Sequence, residues 1–285
     1  MTFTVAGTRV LITGGAMGMG RLYAERALAE GALTVILWDI NTAALEQTAT
    51  ELRVHADNSQ QIVPITVDIA DRTAIEAAAA RVRADHGGID VLFNNAGVVR
   101  GAYFWEHENE RDTEFIMKVN SLAPMFIARE FLPGMIAADR PARIINIASA
   151  AGTLANPKMS VYASSKWALI GWSDSLRLEL DQQGYGHIKV TTVCPSYIST
   201  GMFEGVKGPL MTPIMEPIYV VNRVWKAMVK GKGMLMLPWT VHLSKVLKGI
   251  LPQRAFDVIA DRIFGVYNTM DKFTGRPSNS DRTAQ

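Results

Sequence analysis

Short apolar runs rich in β-forming residues alternate along this chain with helical patterns. The runs cover Arg9–Thr13, Leu33–Trp38, Ile62–Val67, Val91–Phe93, Arg143–Ala148, Lys189–Cys194 and Met234–Leu237. Continuous apolar runs of this length are typical of strands buried on both faces of a parallel sheet, where helices connect successive strands. The alternation therefore predicts an α/β fold, a doubly wound parallel sheet of about seven strands with helices on both faces.

The first strand runs directly into a glycine-rich turn, and a helix follows the turn. Glycines allow a tight turn and the close approach of a pyrophosphate, which the N-terminus of the helix then stabilises. This strand–turn–helix unit predicts a dinucleotide site with contacts from Thr13, Gly14, Gly18, Met19 and Gly20.

Asp39 ends the second strand, 19 residues after Gly20. A carboxylate at this distance is expected to accept hydrogen bonds from the adenosine ribose of a dinucleotide. The same carboxylate would repel a 2′-phosphate, and neither Ile40 nor Asn41 is basic. We therefore expect NAD as the cofactor rather than NADP.

Polar residues and turn signals also follow the other strands. Asp68 and Ile69 come after the third strand, where an adenine contact and a simple loop cap both fit the sequence. The asparagines of Asn94–Gly97 can bridge backbone groups, although a plain turn has the same composition. Ser149 is placed either to start a turn or to hold a substrate carbonyl. Because the carboxyl ends of parallel strands share one edge, we expect one common site from Gly14, Asp39, Asn94, Ser149 and Pro195.

Ser160–Trp172 has a helical pattern in which Tyr162 and Lys166 are four residues apart, on the same face. A free phenol has a pKa of about 10. An ammonium roughly 4 Å away favours the phenolate by about 4 kcal/mol, which lowers the phenol pKa towards ~7. The pair is therefore a candidate acid/base, although an exposed tyrosine and lysine on a helix have the same spacing.

The composition excludes several other classes of protein. Lysine and arginine exceed aspartate and glutamate by only two, so nucleic acid is not an expected partner. The single cysteine, Cys194, excludes an internal disulfide and indicates a reducing compartment, which we expect to be the cytoplasm. No secretory signal and no membrane-spanning stretch is expected. We expect one domain over residues 1–274 and a polar, disordered tail over 275–285.

The motifs together resemble the classical short-chain dehydrogenases/reductases. The similarity runs from Gly7 to Gly201, and it rests on T-G-G-A-M-G-M-G (Thr13–Gly20), N-N-A-G (Asn94–Gly97), Asn120, Ser149 and Y-A-S-S-K (Tyr162–Lys166). This resemblance implies a Rossmann-type fold and an NAD-dependent oxidoreductase acting on CH–OH groups.

The resemblance also implies a role for each matching residue. Tyr162 would exchange a proton with the substrate oxygen, and Ser149 would hydrogen-bond that oxygen. Lys166 would lower the pKa of Tyr162 and hold the nicotinamide ribose, while Asn120 would anchor a proton-relaying water. Cofactor contacts are implied for Asn95, Ala96 and Gly97 on the adenosine-ribose side, and for Pro195, Ile198 and Thr200 near the carboxamide. Two departures from the family pattern are Met17 and Ser196.

The C-terminal third bears on the substrate. The Met-, Gly- and Pro-rich loop at about 197–217 should cover the cleft and favours an apolar substrate. Two helical patterns, Trp239–Ile250 and Arg254–Tyr267, form an extension at about 239–270. Its apolar faces are consistent with packing on the body or on a second subunit, with a lid on an apolar pocket, or with a weak peripheral membrane contact.

The loop and extension are similar to the retinol and 17β-hydroxysteroid dehydrogenase branch of the family. That similarity implies a small lipophilic alcohol or ketone of the steroid, retinoid or long-chain type, and a homodimer or homotetramer. Two other functions stay open: an NADPH-linked 3-oxoacyl thioester reductase and a non-catalytic dinucleotide-binding scaffold.

Overall fold

The computed structural model describes residues 3–210 and 212–275 of the chain. The described residues form a parallel sheet of seven strands in the order β3-β2-β1-β4-β5-β6-β7. The strands are β1 (Arg9–Thr13), β2 (Thr34–Asp39), β3 (Gln61–Thr66), β4 (Val91–Asn94), β5 (Ala142–Ile147), β6 (Ile188–Pro195) and β7 (Met234–Leu237). The doubly wound α/β fold is confirmed, and each strand begins and ends within one residue of its predicted bounds.

Helices cover both faces of the sheet. They are α1 (Gly18–Ala29), α2 (Thr42–His55), α3 (Arg72–His86), α4 (Phe115–Met117), α5 (Ala123–Ala138), α6 (Ser160–Gln182), α7 (Pro217–Val229), α8 (Trp239–Ile250) and α9 (Gln253–Val258). Ile12 of β1 packs in the core of one face and its neighbour Leu11 in the core of the other. Successive side chains point to opposite faces and both faces are covered, which is why the strands read as unbroken apolar runs.

Two predicted helices contain π-helical turns, and one of them ends earlier than predicted. The helical pattern of Glu114–Met135 in the sequence predicts one helix, and this stretch lies within unbroken helix over 109–138, in which π-helical turns at Asn109–Glu114 and Lys118–Leu122 flank the short α4. In place of one helix over Arg254–Tyr267, α9 is followed by a π-helical turn and then by Gly265 in the left-handed region. A π turn holds one more residue than an α turn, which apolar periodicity does not reveal.

The strand register places the candidate residues at one rim. Thr13 lies beside Trp38, Asn94 beside Asn146, and Pro195 beside Leu237, so the carboxyl ends of these strands meet. Among the described residues, no helix is both long and apolar enough to cross a membrane. Most of the polar tail predicted over 275–285 lies outside the described residues.

Candidate active site

The glycine turn after β1 depends on backbone that only glycine forms readily. Gly14 and Gly18 have φ of 66° and 56°, in the left-handed region. A Cβ on Gly20 would overlap the carbonyl oxygen of Gly14. Glycine at this position therefore lets the start of α1 close directly onto the end of β1. Met19, between these glycines, packs against the core of that face.

Thr13 and the loop after β4 hold the glycine turn in place. The backbone N–H groups of Asn95 and Ala96 donate to Thr13 Oγ1 at 3.0 and 3.1 Å. Asn95 Nδ2 donates to the carbonyl oxygens of Thr13 and Gly14 at 2.9 and 3.3 Å. The asparagine therefore bridges backbone groups, as its position in the sequence suggested.

Asp39 is half-buried at the end of β2 and faces the glycine turn. Its carboxylate accepts from the backbone N–H of Ala16 at 3.0 Å and from that of Asn41 at 3.0 Å. Asp68 is exposed and accepts from the Ala70 N–H at 2.9 Å, with Ile69 packed beside it. In this structure Asp68 therefore caps its own loop. An adenine contact by Asp68 stays a prediction.

The rim fits a dinucleotide. The first turn of α1 carries no acidic side chain, so no carboxylate of that turn competes for its N-terminal N–H groups. Thr200 lies across from Gly18, because a Cβ built on that glycine would meet the Thr200 side chain at 3.8 Å. Ile198 is buried behind Thr200, and Pro195 ends β6 at the same rim. The glycine turn, the β4 loop and the loop after β6 thereby converge on one cleft.

Tyr162 and Lys166 share one face of α6 and are both 4% exposed. Lys166 Nζ donates to the carbonyl oxygen of Ile147, at the end of β5, at 2.9 Å. A Cβ on Gly97 would lie 3.4 Å from Nζ and 3.2 Å from Asn120 Oδ1. Gly97 therefore lies beside the candidate catalytic residues. Its contact with the adenosine ribose stays a prediction.

Asn120 fastens the π-helical turn to this site. Its Oδ1 accepts from the Val98 N–H at 2.9 Å, and its Nδ2 donates to Val98 O at 2.8 Å and to Ser165 Oγ at 3.1 Å. Both amide protons are in use, so the side chain acts as a clamp between the β4 loop and α6. The implied water relay stays a prediction.

The pKa of Tyr162 corrects an expectation from the sequence. Burial raises it to about 12, while a hydrogen bond with Ser149 lowers it in part. The Lys166 ammonium lies 5.8 Å from the centre of the phenol ring, and burial lowers the pKa of Lys166 to about 8. The expected pKa towards 7 for the Tyr162 phenol was therefore wrong for the protein without a bound cofactor. The four-residue spacing of Tyr162 and Lys166 carries no information on how deeply the pair is buried.

Ser149 connects the candidate catalytic pair to an apolar cavity. Its Oγ accepts from the Ala151 N–H at 3.1 Å, so it starts a turn, and it also lines the cavity. The cavity has an empty volume of about 920 Å³, including its mouth. Its walls come from residues 149–159, from the loop after β6, from α8 and from residues 264–266, including Leu154, Met159, Tyr197, Phe203, Trp239, Leu243, Leu247 and Phe264. The inner face of α8 thus covers the pocket, as the lid interpretation expects.

The loop at about 197–217 was expected to cover the cleft, and Phe203 of this loop does lie over Tyr162, but the contribution from the end of the described chain was missed. The Phe203 ring meets the Tyr162 ring edge-on at 5.9 Å between centroids. Met270 and Phe273, from the end of the described chain, pack in the same cluster. Tyr197 Oη is 2.8 Å from Thr269 Oγ1, which secures the loop to the extension. These contacts join distant parts of the chain, and the sequence carries no signal for them.

Two further details differ from expectation. Ser165 was missed, although its place in Y-A-S-S-K was a signal: its Oγ donates to Tyr162 O at 2.7 Å. Met215, in the loop predicted to offer adaptable methionines to the substrate, is buried in the main core and bridges to Ile198. At that position the methionine packs the loop onto the body.

Comparisons with known proteins agree with this architecture. The family model of the short chain dehydrogenases matches residues 8–208. Epidermal retinol dehydrogenase 2 of Mus musculus is 35% identical over 280 residues, which cover 95% of this chain and 87% of the relative. Estradiol 17-beta-dehydrogenase 11 of Rattus norvegicus is 34% identical over 260 residues, 91% of this chain and 85% of the relative.

Solved structures show the same fold. A short-chain dehydrogenase/reductase from Burkholderia phymatum in complex with NAD has a TM-score of 0.78 at 24% identity, covering 87% of this chain and 94% of its own. A metagenomic short-chain oxidoreductase in complex with NADP has a TM-score of 0.67 at 28% identity, covering 82% and 96%. The chain therefore belongs to the short-chain dehydrogenase/reductase family, as an oxidoreductase related to its retinol and 17β-hydroxysteroid dehydrogenase branch.

Proposed function

We propose that this protein transfers a hydride between a lipophilic alcohol or ketone and NAD, with Tyr162 as the general acid/base. The observation that carries the proposal is the position of Ser149. It lines the apolar cavity, and it lies close enough to the Tyr162 phenol to lower the pKa of that group. A substrate oxygen held at Ser149 is thereby within reach of a proton donor, at the rim that also carries the glycine turn.

Each residue has a distinct task in this reaction. Tyr162 donates its phenolic proton to the substrate oxygen in reduction and accepts a proton from the alcohol in oxidation. Ser149 donates a hydrogen bond to the same oxygen, and the positive charge of Lys166 stabilises the phenolate when it forms. When bound, the nicotinamide supplies or accepts the hydride. Apolar walls around the pair exclude water, which strengthens these polar interactions.

Asp39 supports NAD over NADP. Its carboxylate is held by two backbone N–H groups, so it cannot turn away freely from a 2′-phosphate. We expect kcat/KM to be at least tenfold higher with NAD(H) than with NADP(H), and Asp39→Ser to narrow that ratio. An unchanged ratio in Asp39→Ser, or a preference for NADP(H) in the native protein, would contradict the assignment.

The substrate class is supported by the mainly apolar cavity walls. Two relatives are named for retinol and estradiol, which are lipophilic alcohols. A panel of steroids, retinoids, long-chain alcohols and acyl thioesters, followed by NADH fluorescence, tests the proposal. Turnover of 3-oxoacyl thioesters with NADPH alone would support the reductase alternative, and turnover of none of them would favour a scaffold.

The proposed partners follow from the surface. Outside the cavity wall, α8 exposes Ile250 (74%) and Val246 (44%). Contact with a membrane surface or with a second copy in a homodimer or homotetramer would cover these side chains. Liposome flotation and light scattering, with and without Ile250→Ser, separate the two. The cytoplasm is the proposed compartment, on the basis of the single buried thiol of Cys194.

A further inference from the structure

Two neighbouring side chains of the π-helical turn at Lys118–Leu122 both contact Ser165 of α6. Asn120 Nδ2 donates to Ser165 Oγ at 3.1 Å, and Ser121 Oγ donates to the Ser165 carbonyl oxygen at 2.9 Å. Asn120, Ser121 and Ser165 are each at most 1% exposed. Side chains this deeply buried depend on protein partners for their hydrogen bonds, so a lost bond leaves a polar group unpaired.

Ser165 links the π-helical turn to the backbone of Tyr162. A serine hydroxyl has one proton, and Ser165 donates it to the Tyr162 carbonyl oxygen at 2.7 Å. Its Oγ therefore faces Asn120 as an acceptor. The other end of the Asn120 amide is fixed as well, because the Val98 N–H can only donate and bonds Oδ1 at 2.9 Å. The hydrogen bonds thus run in one direction from the loop after β4, through Asn120 and Ser165, to Tyr162.

Ser173 gives α6 a second contact of the same kind. Its Oγ donates to the Leu169 carbonyl oxygen at 2.6 Å and accepts from Asn146 Nδ2 at 2.8 Å. Ser173 is as fully buried as Ser165, and it lies two helical turns further along, about 12 Å away. The two serines hold the same helix by the same pattern of hydrogen bonds, but only Ser165 bonds the backbone of the candidate acid/base.

We propose that Ser165 is a positioning residue, which holds Tyr162 at the distance from the substrate oxygen that proton transfer needs. This role rests on the proposed function, and Ser165 itself does not line the cavity. Without the Ser165 hydroxyl, one N–H of Asn120 would lack its acceptor, and Tyr162 would lose its link to the loop after β4. A misplacement of about 1 Å can lower a reaction rate about 100-fold.

Ser165→Ala tests this role with NAD as the cofactor and with retinol, estradiol and dodecanol as probes. We expect kcat for oxidation to fall about tenfold or more, with KM for each probe within about twofold of the native value, because Ser165 lies outside the cavity wall. Ser173→Ala is the matched control, since it removes the same two kinds of hydrogen bond and should lower the melting temperature by a similar amount. We expect its kcat to stay within about twofold of the native value.

Ser165→Thr is the second variant, because it keeps the hydroxyl and a threonine in a helix can bond the carbonyl three residues before it. It should recover most of the kcat that Ser165→Ala loses, and thermal unfolding of all three variants reports whether they fold. Equal losses of kcat in Ser165→Ala and Ser173→Ala, or in Ser165→Ala and Ser165→Thr, would overturn the positioning role and leave the proposed function standing. Failure of the native protein to oxidise any of the three probes with NAD or NADP would instead overturn the proposed function itself.

Discussion

The two ends of the reaction cleft are built in different ways. At the cofactor end, backbone groups near the glycine turn are tied together by Thr13 and Asn95 through short hydrogen bonds. At the substrate end, apolar side chains such as Phe203, Leu243 and Phe264 come from distant segments and meet through packing. Backbone geometry tolerates few changes, whereas an apolar wall can be repacked with other apolar residues. We therefore expect the cofactor end to tolerate few substitutions and the substrate end to tolerate exchange of its apolar side chains.

The strongest way to break this comparison is Tyr162→Phe, which removes the group that joins the two ends. We expect kcat to fall roughly 100- to 10,000-fold, while the Kd for NAD stays within about twofold. Tyr219→Phe is the control, because that phenol is 46% exposed and does not line the cavity. Steady-state kinetics and isothermal titration provide the measurements. Undiminished turnover in Tyr162→Phe would contradict the assignment of Tyr162 as the general acid/base.

Gly20→Ala tests the rigidity of the cofactor end. Its new methyl group would overlap Gly14 O, so the free energy of unfolding should fall by about 1–3 kcal/mol and the Kd for NAD should rise about tenfold or more. Gly134→Ala is a matched helical control, because a Cβ there meets nothing within 4 Å. That control should stabilise the protein by about 0.5–1 kcal/mol. Equal thermal shifts in both variants would show that the turn is not tightly packed.

The pH dependence of the two reaction directions tests the buried pair between the ends. Burial raises the pKa of Tyr162 to about 12 and lowers that of Lys166 to about 8. Oxidation needs the phenolate, so its kcat/KM should rise about tenfold per pH unit below the Lys166 pKa and flatten above it, as the ammonium loses its charge. Reduction needs the phenol and should be nearly constant from pH 6 to about 8. Oxidation that is flat below pH 7 would contradict the raised phenol pKa.

The smallest effect is expected at the substrate end, from Leu243→Asn at the cavity wall. Leu243 is 39% exposed, so only part of its apolar surface faces a ligand. We expect KM for an apolar alcohol to rise roughly fivefold, with the Kd for NAD unchanged. Leu178→Asn, at a leucine that is 57% exposed on α6, is the control. A larger effect on NAD than on the alcohol would mean that the two ends are not separable.

The features that could be predicted are those that depend on residues close together in the sequence. The seven strands, the glycine turn and the shared face of Tyr162 and Lys166 each follow from a short stretch of sequence. The features that could not be predicted depend on distant contacts. Burial raises the pKa of Tyr162, and it depends on packing against segments such as the one that carries Met270. Asn156 likewise meets Thr269 across 113 positions of chain. The π-helical turn at Asn120 was not predicted, because its residues have the same composition as an ordinary α-helix.

The cluster over Tyr162 has a consequence for how the protein assembles during synthesis. The sheet strands β1 to β6 and the glycine turn are complete once residue 195 has left the ribosome. Met270 and Phe273 emerge later, and Asp271 then pairs with Lys158 at 2.8 Å. A domain generally folds as a unit, so the cover over Tyr162 can close only after Met270 and Phe273 have been synthesised.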